Sequence, residues 1–274
     1  MKQSVSEELK IRWEIIKVNT MFTLKESLAY SLNNWGGLLS TVTYMLTYLL
    51  LLSAIFGRVK SLAGYNYSEV LLFTLISQLN FYLTWVWSIK NMEKLGDHIK
   101  TGKLDLILTK PLPHLWYITF QNINLFMLVF EMWPATIPLI YLLVKNADFQ
   151  ISTLGVIYGV ICFIAGHIAI HCFQFLFTLI TFWTGESRGL NGLSYQIAFF
   201  GEAVPFEGYP NWAKGLATTI VPFLIHTALT TSFLLGKTTN VRFVWLSVLV
   251  MITFIIIKNK MWNLALRQYS SASS

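Results

Sequence analysis

Charged residues are scarce in this chain. Only 12% of its 274 residues are Asp, Glu, Lys or Arg, whereas 55% are hydrophobic and 15% are aromatic. A soluble domain carries about 25% charged residues, so the composition excludes a soluble globule and predicts a membrane protein. The net charge of +7 is typical of basic loops that face anionic lipid, and no basic patch interleaved with aromatic residues indicates a nucleic-acid partner.

Cysteine is also nearly absent. The two cysteines, Cys162 and Cys172, lie in one long apolar stretch, which excludes a disulfide framework and a Cys-x-x-Cys metal site. The sequence has no Gly-x-x-x-x-Gly-Lys-Ser/Thr motif, the loop that cradles nucleotide phosphates in ATPases. Energy from ATP would therefore have to come through a partner chain.

Long apolar runs are abundant. A bilayer of about 30 Å needs around 20 helical residues, and several runs reach that length while two are shorter. The long runs are Leu32–Phe56, Val70–Ile89, Leu115–Val144, Leu154–Trp183 and Leu216–Leu235, and the shorter ones are Leu190–Val204 and Phe243–Ile257.

The distribution of Lys and Arg decides how many of these runs cross the membrane. Seven crossings would put the termini on opposite faces, whereas six crossings leave most Lys and Arg residues on the side of the termini, as the positive-inside rule requires. We therefore predict six spans with both termini in the cytoplasm. One of the two apolar stretches between positions 190 and 235 must then dip into the membrane and return.

The N-terminal segment, residues 1–31, mixes charges with a periodic apolar pattern. Ile11, Ile15, Val18 and Phe22 follow at spacings of four, three and four residues, which is the period of one helix face. We predict an amphipathic helix on the cytoplasmic surface of the bilayer. An ordinary helix packed on a partner is the alternative.

The loop between the second and third spans, 94–113, contains a short apolar segment among charges. Gly102 ends one helix, and the prolines near the end of the loop stop the next one. Leu104, Ile107 and Leu108 would lie along one side of a helical turn of about 7 residues. We therefore predict that another protein docks on this side.

Ionisable side chains also occur within the predicted spans. Glu131 belongs to the third span, and His167 and His171 lie one turn apart on one face of the fourth. An unpaired charge at mid-membrane is costly, so such residues are functional candidates. Three interpretations stay open: a carboxylate paired with histidine between helices, a lining of a transport path, and a metal or proton site.

Three stretches of the sequence resemble one family. Residues 99–113, Ile-Lys-Thr-Gly-Lys-Leu-Asp-Leu-Ile-Leu-Thr-Lys-Pro-Leu-Pro, resemble the GxLDxxLxKPL loop of permease subunits of type-2 ABC exporters. Residues 207–223, with Tyr-Pro-Asn-Trp and Val-Pro-Phe, are similar to the outer region of that family, and residues 262–269 to its C-terminal Trp and Arg-x-Tyr. The chain departs from the family at 226–228, where His-Thr-Ala stands in place of a Tyr and a Pro.

The resemblance implies an all-α polytopic fold with six transmembrane helices. It further implies an N-terminal interfacial helix, a cytoplasmic coupling helix and a re-entrant helical pair before the last span, as in type-2 (type V) ABC exporters. The resulting domains are 1–31, a single transmembrane domain 32–267, and a cytoplasmic tail 268–274. The implied spans are 32–56, 70–89, 115–144, 154–183, 187–204 and 241–262, with 213–236 re-entrant.

The resemblance also implies a function and partners. The chain would be the permease subunit of an exporter in a bacterial plasma membrane, paired with a second permease and driven by a cytoplasmic ABC ATPase dimer. ATP and magnesium would bind to the ATPase, with no cofactor and no catalytic activity on this chain. The residues implied for coupling to the ATPase are Gly102, Leu104, Asp105, Ile107, Leu108, Lys110 and Pro111.

Two other classes of function remain as alternatives. One is an intramembrane enzyme that uses Glu131, His167 and His171, although the sequence has no HExxH motif. The other is an ion-coupled secondary transporter, which would usually show inverted repeats that this sequence lacks.

Overall fold

The computed structural model describes residues 5–29 and 31–269, which are almost entirely helical. In this part of the chain the only β-type pairing is an isolated bridge between Leu62 and Tyr65, so the predicted all-α class is confirmed. The predicted tail, 268–274, lies mostly outside the described residues. The α-helices are α1 (Val5–Ala29), α2 (Ser31–Phe56), α3 (Tyr67–Trp87), α4 (Ile89–Lys100), α5 (Lys103–Leu108), α6 (His114–Thr119), α7 (Trp133–Asn146), α8 (Thr153–Leu179), α9 (Thr181–Thr184), α10 (Arg188–Ala203), α11 (Asn211–Thr219), α12 (Thr230–Leu234) and α13 (Arg242–Gln268). Leu128–Met132 and Ile225–Leu229 are π-helical, and Phe206–Gly208 is a 3-10 turn.

Five helical segments in the described residues are long and apolar enough to cross a membrane, so the chain is a multi-pass membrane protein. The predicted fifth span, 187–204, corresponds to α10, whose 16 residues fall short of a full crossing. Six crossings therefore remain a prediction. The five segments are Asn34–Phe56, Tyr67–Lys100, Leu128–Asn146, Thr153–Thr184 and Arg242–Gln268.

The predicted third span, 115–144, is wrong as one continuous helix. The helix stops at Thr119 and resumes only in the π-helical segment before α7. The side-chain nitrogen Nδ2 of Asn91 donates to the carbonyl oxygens of Thr119 and Asn122, each at 2.9 Å. Because a side chain from α4 satisfies these carbonyls, the backbone can leave the helical path without exposing unpaired groups to lipid.

Helix α1 covers most of the predicted N-terminal segment, and its packed face includes polar residues besides Ile15 of the predicted apolar face. Val18 and Phe22 are exposed, whereas Thr23 is buried. Asn19, on the packed face, donates from Nδ2 to the carbonyl oxygen of Phe120 at 3.0 Å. Polar groups of α1 therefore satisfy the broken part of the third span, which the apolar period could not indicate. The location of α1 at the lipid surface stays a prediction.

Glycines allow very close packing around α8 and α10. A Cβ atom on Gly166 of α8 would lie 2.5 Å from the backbone nitrogen of His226. A Cβ atom on Gly201 of α10 would lie 1.8 Å from the carbonyl oxygen of Phe223. Only glycine fits these two positions, and the segment around 223–229 is thereby seated directly on both helices.

The predicted re-entrant region, 213–236, consists of two short helical stretches with a break between them. Helix α11 ends at Thr219, the chain bends around Pro222, and the π-helical segment continues into α12. Residues 224–233 are all buried in the protein, which is the condition for irregular backbone at membrane depth. That the pair dips into the bilayer remains a prediction.

Candidate functional site

The short helix predicted in the cytoplasmic loop is present as α5, Lys103–Leu108. Gly102 precedes it with a φ of 69°, in the left-handed region that glycine adopts at no steric cost. Thr109 ends the helix, and Pro111 follows two residues later. The local sequence signals therefore fix both ends of this helix.

The apolar side of α5 is packed against its own chain. Leu104 is 0% and Ile107 is 6% exposed, and both belong to a core cluster with Met92 and Leu95 of α4. The prediction that Leu104 and Ile107 lie free for a partner is therefore wrong, because neighbouring helices already cover them. Leu106, on the opposite side, is 68% exposed.

The other coupling residues surround this packed core. Leu108 is partly buried against the same cluster, and Asp105 is half-buried. Lys110 and Pro111 are exposed, and the Lys110 ammonium lies 5.8 Å from the centre of the Tyr117 ring. A role for any of these residues in coupling remains a prediction.

An ion pair lies at the C-terminal end of α4. The Lys100 ammonium donates to the Glu186 carboxylate in the loop before α10. This hydrogen bond holds the pKa of Glu186 below its usual value. The pair is exposed, so its contribution to stability is small.

Within the membrane, the two histidines of α8 face α3. His167 accepts a hydrogen bond from the indole nitrogen of Trp87 at 3.0 Å, and its Nδ1 lies 2.8 Å from Oδ1 of Asn80. Since an indole N–H only donates, Nε2 of His167 must accept, and the ring proton sits on Nδ1 and is donated to Asn80. His171 contacts Ser88, with 2.6 Å between Nδ1 and Oγ.

Asn80 extends this network to a buried carboxylate. Its Nδ2 donates to Oε1 of Glu202 in α10 at 2.6 Å. The same carboxylate oxygen lies 3.7 Å from Nε2 of His226, whose side chain is fully buried. We call Trp87, His167, Asn80, Glu202 and His226 the membrane network. It joins α3, α8, α10 and the π-helical segment before α12.

Glu131 is not part of the membrane network. It is half-buried in the π-helical segment before α7 and forms no hydrogen bond or ion pair with the described residues. A Cβ atom on Gly37 of α2 would lie 2.8 Å from Oε1 of Glu131. The predicted pairing of Glu131 with His167 or His171 is therefore wrong.

Two cavities lie beside Glu202. One, of about 510 Å3, lies between α2, α3 and α10 and is lined by Glu131, Gln78 and Tyr82 among others. The second, of about 430 Å3, lies between α3, α8 and α10. Glu202 lines both cavities, so it is the carboxylate at which the two spaces meet.

Comparison with protein families decides the identity of the chain. Residues 42–273 match the family described as ABC-2 family transporter protein. The chain belongs to this family. No curated protein and no solved structure matched it. The resemblance seen in the sequence is confirmed, and the chain is the membrane permease of an ABC transporter, which implies an ABC ATPase as its partner.

Sequence reasoning missed three members of the permease's membrane network. Asn80, Glu202 and His226 all lie at membrane-embedded positions of the predicted topology, and the rule that intramembrane ionisable groups are functional candidates applies to the last two. Glu202 stands close to the end of a borderline apolar run, and His226 lies within the predicted re-entrant stretch. The sequence therefore contained a signal for Glu202 and for His226.

Trp87 belongs to the membrane network although it stands near the end of a predicted span. A tryptophan near the end of a span is typical of the aromatic belt at the headgroups. In the permease, the Trp87 ring instead lies 4.3 Å from the centre of the His171 ring and 5.3 Å from that of Phe120. It serves as an internal contact and hydrogen-bond donor.

The described residues of the permease contain no cluster suited to a metal ion. No three His, Cys, Asp or Glu side chains in this part of the chain converge on one point. The two cysteines are free and buried. A metal site built on Glu131, His167 and His171 has no geometric support, since the carboxylate contacts neither ring.

Proposed function

We propose that this ABC-2 permease is an exporter subunit that works as a pair with a second permease, identical or paralogous. Separate ATPase subunits bind ATP and move α5, and the permease pair forms the path for the substrate. The intramembrane-enzyme alternative is weakened, because the carboxylate and the histidines on which it depends are apart.

The observation that carries this proposal is the burial of Leu104 and Ile107. Because these side chains fix α5 to α4, a force on the exposed side of α5 moves both helices as one body. Helix α4 continues from α3 through Ser88, the residue that contacts His171. A movement at the cytoplasmic surface would thus reach the membrane network directly.

The two cavities beside Glu202 support a path near this network. They lie between helices that the network connects, so a shift of α3 against α8 and α10 changes their size and connection. Glu131 lines the larger one without a hydrogen-bond or ion-pair partner among the described residues, which leaves its carboxyl group available to a substrate.

The proposal is tested by changing Leu106 to Asp in the permease expressed with its ATPase. We expect the variant to fold normally, because Leu106 is exposed, and to lose about tenfold in ATPase affinity if it occupies a desolvated contact. Transport should fall together with the affinity for the ATPase. Leu62→Asp, the same change at an exposed residue of the loop between α2 and α3, is the control. Unchanged ATPase binding and transport in Leu106→Asp would contradict the proposed coupling surface.

The proposed orientation is supported by the charge distribution and has its own test. A single cysteine at Asn146 should react with an impermeant thiol reagent from outside the cell, whereas one at Thr101 should react only after the inner face is opened. The native cysteines are buried, so background labelling should be low. Labelling of Thr101→Cys in intact cells would show that the orientation is the opposite of the proposed one.

A further inference from the structure

A large cavity that touches the membrane network only at Trp87 lies near the cytoplasmic ends of α8 and α13. Its volume is about 890 Å3, and its walls come from α1, α6, α8 and α13. Ile255, Trp116 and Trp262 provide apolar lining, whereas Arg12 and Lys258 provide positive charge. None of the described residues that line it is an Asp or a Glu.

Lys258 is the main reason to expect an anionic ligand. It is half-buried and forms no ion pair with any described carboxylate, and its ammonium lies 5.3 Å from the centre of the Phe175 ring. A ring face offsets only part of the cost of removing an ammonium from water. Lys258 therefore supplies the site with a positive charge that no described carboxylate balances.

A second polar group in the same wall also lacks a partner. His171 lines the cavity and is only 3% exposed, and its Nε2 has no hydrogen-bond partner among the described residues. A buried ring nitrogen without a partner costs free energy. Arg12, across the cavity, pairs through Nη2 with the Glu8 carboxylate and stacks over Trp116 at 5.3 Å from the ring centre, and only its Nε has no partner among the described residues.

The position of the cavity selects the kind of anion. Lys258 immediately follows the apolar run Phe243–Ile257, so its ammonium lies where the hydrocarbon region of the bilayer ends. Apolar lining next to this charge matches a molecule with a phosphate at one end and a hydrocarbon chain at the other. A free phosphate ion would leave the apolar wall uncovered.

We propose that this cavity binds an anionic membrane phospholipid of the cytoplasmic leaflet. The phosphate lies between Lys258 and Arg12, and an acyl chain covers Ile255 and Trp262. The lipid then fills the space between α6 and α13 and connects the N-terminal half of the permease to its last span. Only the assignment to the cytoplasmic leaflet rests on the orientation proposed above.

The test uses the full-length permease purified in a neutral detergent. Its unfolding temperature is measured as dioctanoyl phosphatidylglycerol, dioctanoyl phosphatidylcholine or inorganic phosphate is added. We expect saturable stabilisation by phosphatidylglycerol alone. Lys258→Gln should weaken the apparent affinity about tenfold, the loss of one charge-assisted hydrogen bond. Lys260→Gln, the same charge change at an exposed residue outside the cavity lining, should bind like the parent protein.

Lys258→Arg is the control for the case in which Lys258→Gln does not fold. Arg keeps the charge, so this variant should retain the affinity for phosphatidylglycerol. Equal stabilisation by both lipids, or unchanged affinity in Lys258→Gln, would overturn the proposal. Stabilisation by inorganic phosphate alone would overturn the lipid assignment. None of these results depends on the ATPase or on transport, so the proposed function is tested separately.

Discussion

Two regions of the permease differ in how their helices are held together. Around the loop 94–113, α4, α5 and α6 share an apolar core in which Met92, Leu95, Leu104 and Ile118 are fully buried. In the predicted spans, an apolar cluster around α8 and α13 is supplemented by hydrogen bonds among His167, Asn80, Glu202 and Trp87. Side-chain hydrogen bonds therefore connect the helices of the predicted spans in addition to apolar packing.

The difference has a physical reason. Apolar side chains gain little by leaving lipid for another apolar surface, so helices inside the membrane are held by close packing and polar contacts. In water, burial of apolar area is strongly favourable. The unit formed by α4, α5 and α6 is therefore suited to move as a rigid body, whereas the membrane network can exchange partners at lower cost.

The largest expected effect comes from placing a charge in the apolar core shared by α4, α5 and α6. Leu104→Asp should lower the free energy of unfolding by at least about 3 kcal/mol, because a carboxylate would be buried where no cation reaches it. The midpoint of chemical unfolding of the purified permease measures this loss. Leu106→Asp, two residues away and exposed, should change it by about 0.5 kcal/mol or less. Equal stability of the two variants would contradict the packing of α5.

A smaller effect is expected from removing the centre of the membrane network. His167→Ala leaves the indole N–H of Trp87 and Oδ1 of Asn80 without partners, at a cost of about 1–3 kcal/mol for each buried group. The unfolding temperature in detergent should fall accordingly. His167→Gln keeps a donor and an acceptor and should recover part of the loss. If His167→Ala were as stable as the parent, the network would not hold these helices together.

The smallest effect on stability is expected at Glu131. Glu131→Gln should change the free energy of unfolding by less than about 1 kcal/mol, since the carboxyl group has no partner to lose. Glu202→Gln should cost more, because Glu202 accepts from Asn80 and lies beside His226. Transport that falls in Glu131→Gln without a change in stability would support a path past this residue. A large loss of stability would contradict its unpaired state.

The two ends of α5 were predictable from the sequence, because they depend on the residues next to them. Gly102 and the prolines after Thr109 act on the residues next to them, and they correctly delimit α5. The apolar period of Leu104 and Ile107 also correctly indicated a buried side. It could not indicate which surface covers that side, since α4 is reached only through the fold.

The membrane interior was less predictable, because its contacts join distant parts of the sequence. Asn91 satisfies the carbonyl groups of Thr119, at the end of α6, and of Asn122, in the break itself, so the break in the third span has no local signal. The contact between Glu202 and Asn80 likewise spans more than a hundred residues. Composition predicted that polar groups in the spans would matter, but the partner of each one depends on how the helices pack.

The glycine contacts of α8 and α10 have a consequence for the synthesis of the permease. Gly166 and Gly201 precede the segment that fills the space beside them, so a growing chain contains the slot before its occupant has been made. The backbone around Phe223 and His226 must then be added to this slot after both glycines have been synthesised. Any side chain larger than hydrogen at either glycine would occupy the place of that backbone, so residues 223–229 could not take their present position against α8 and α10.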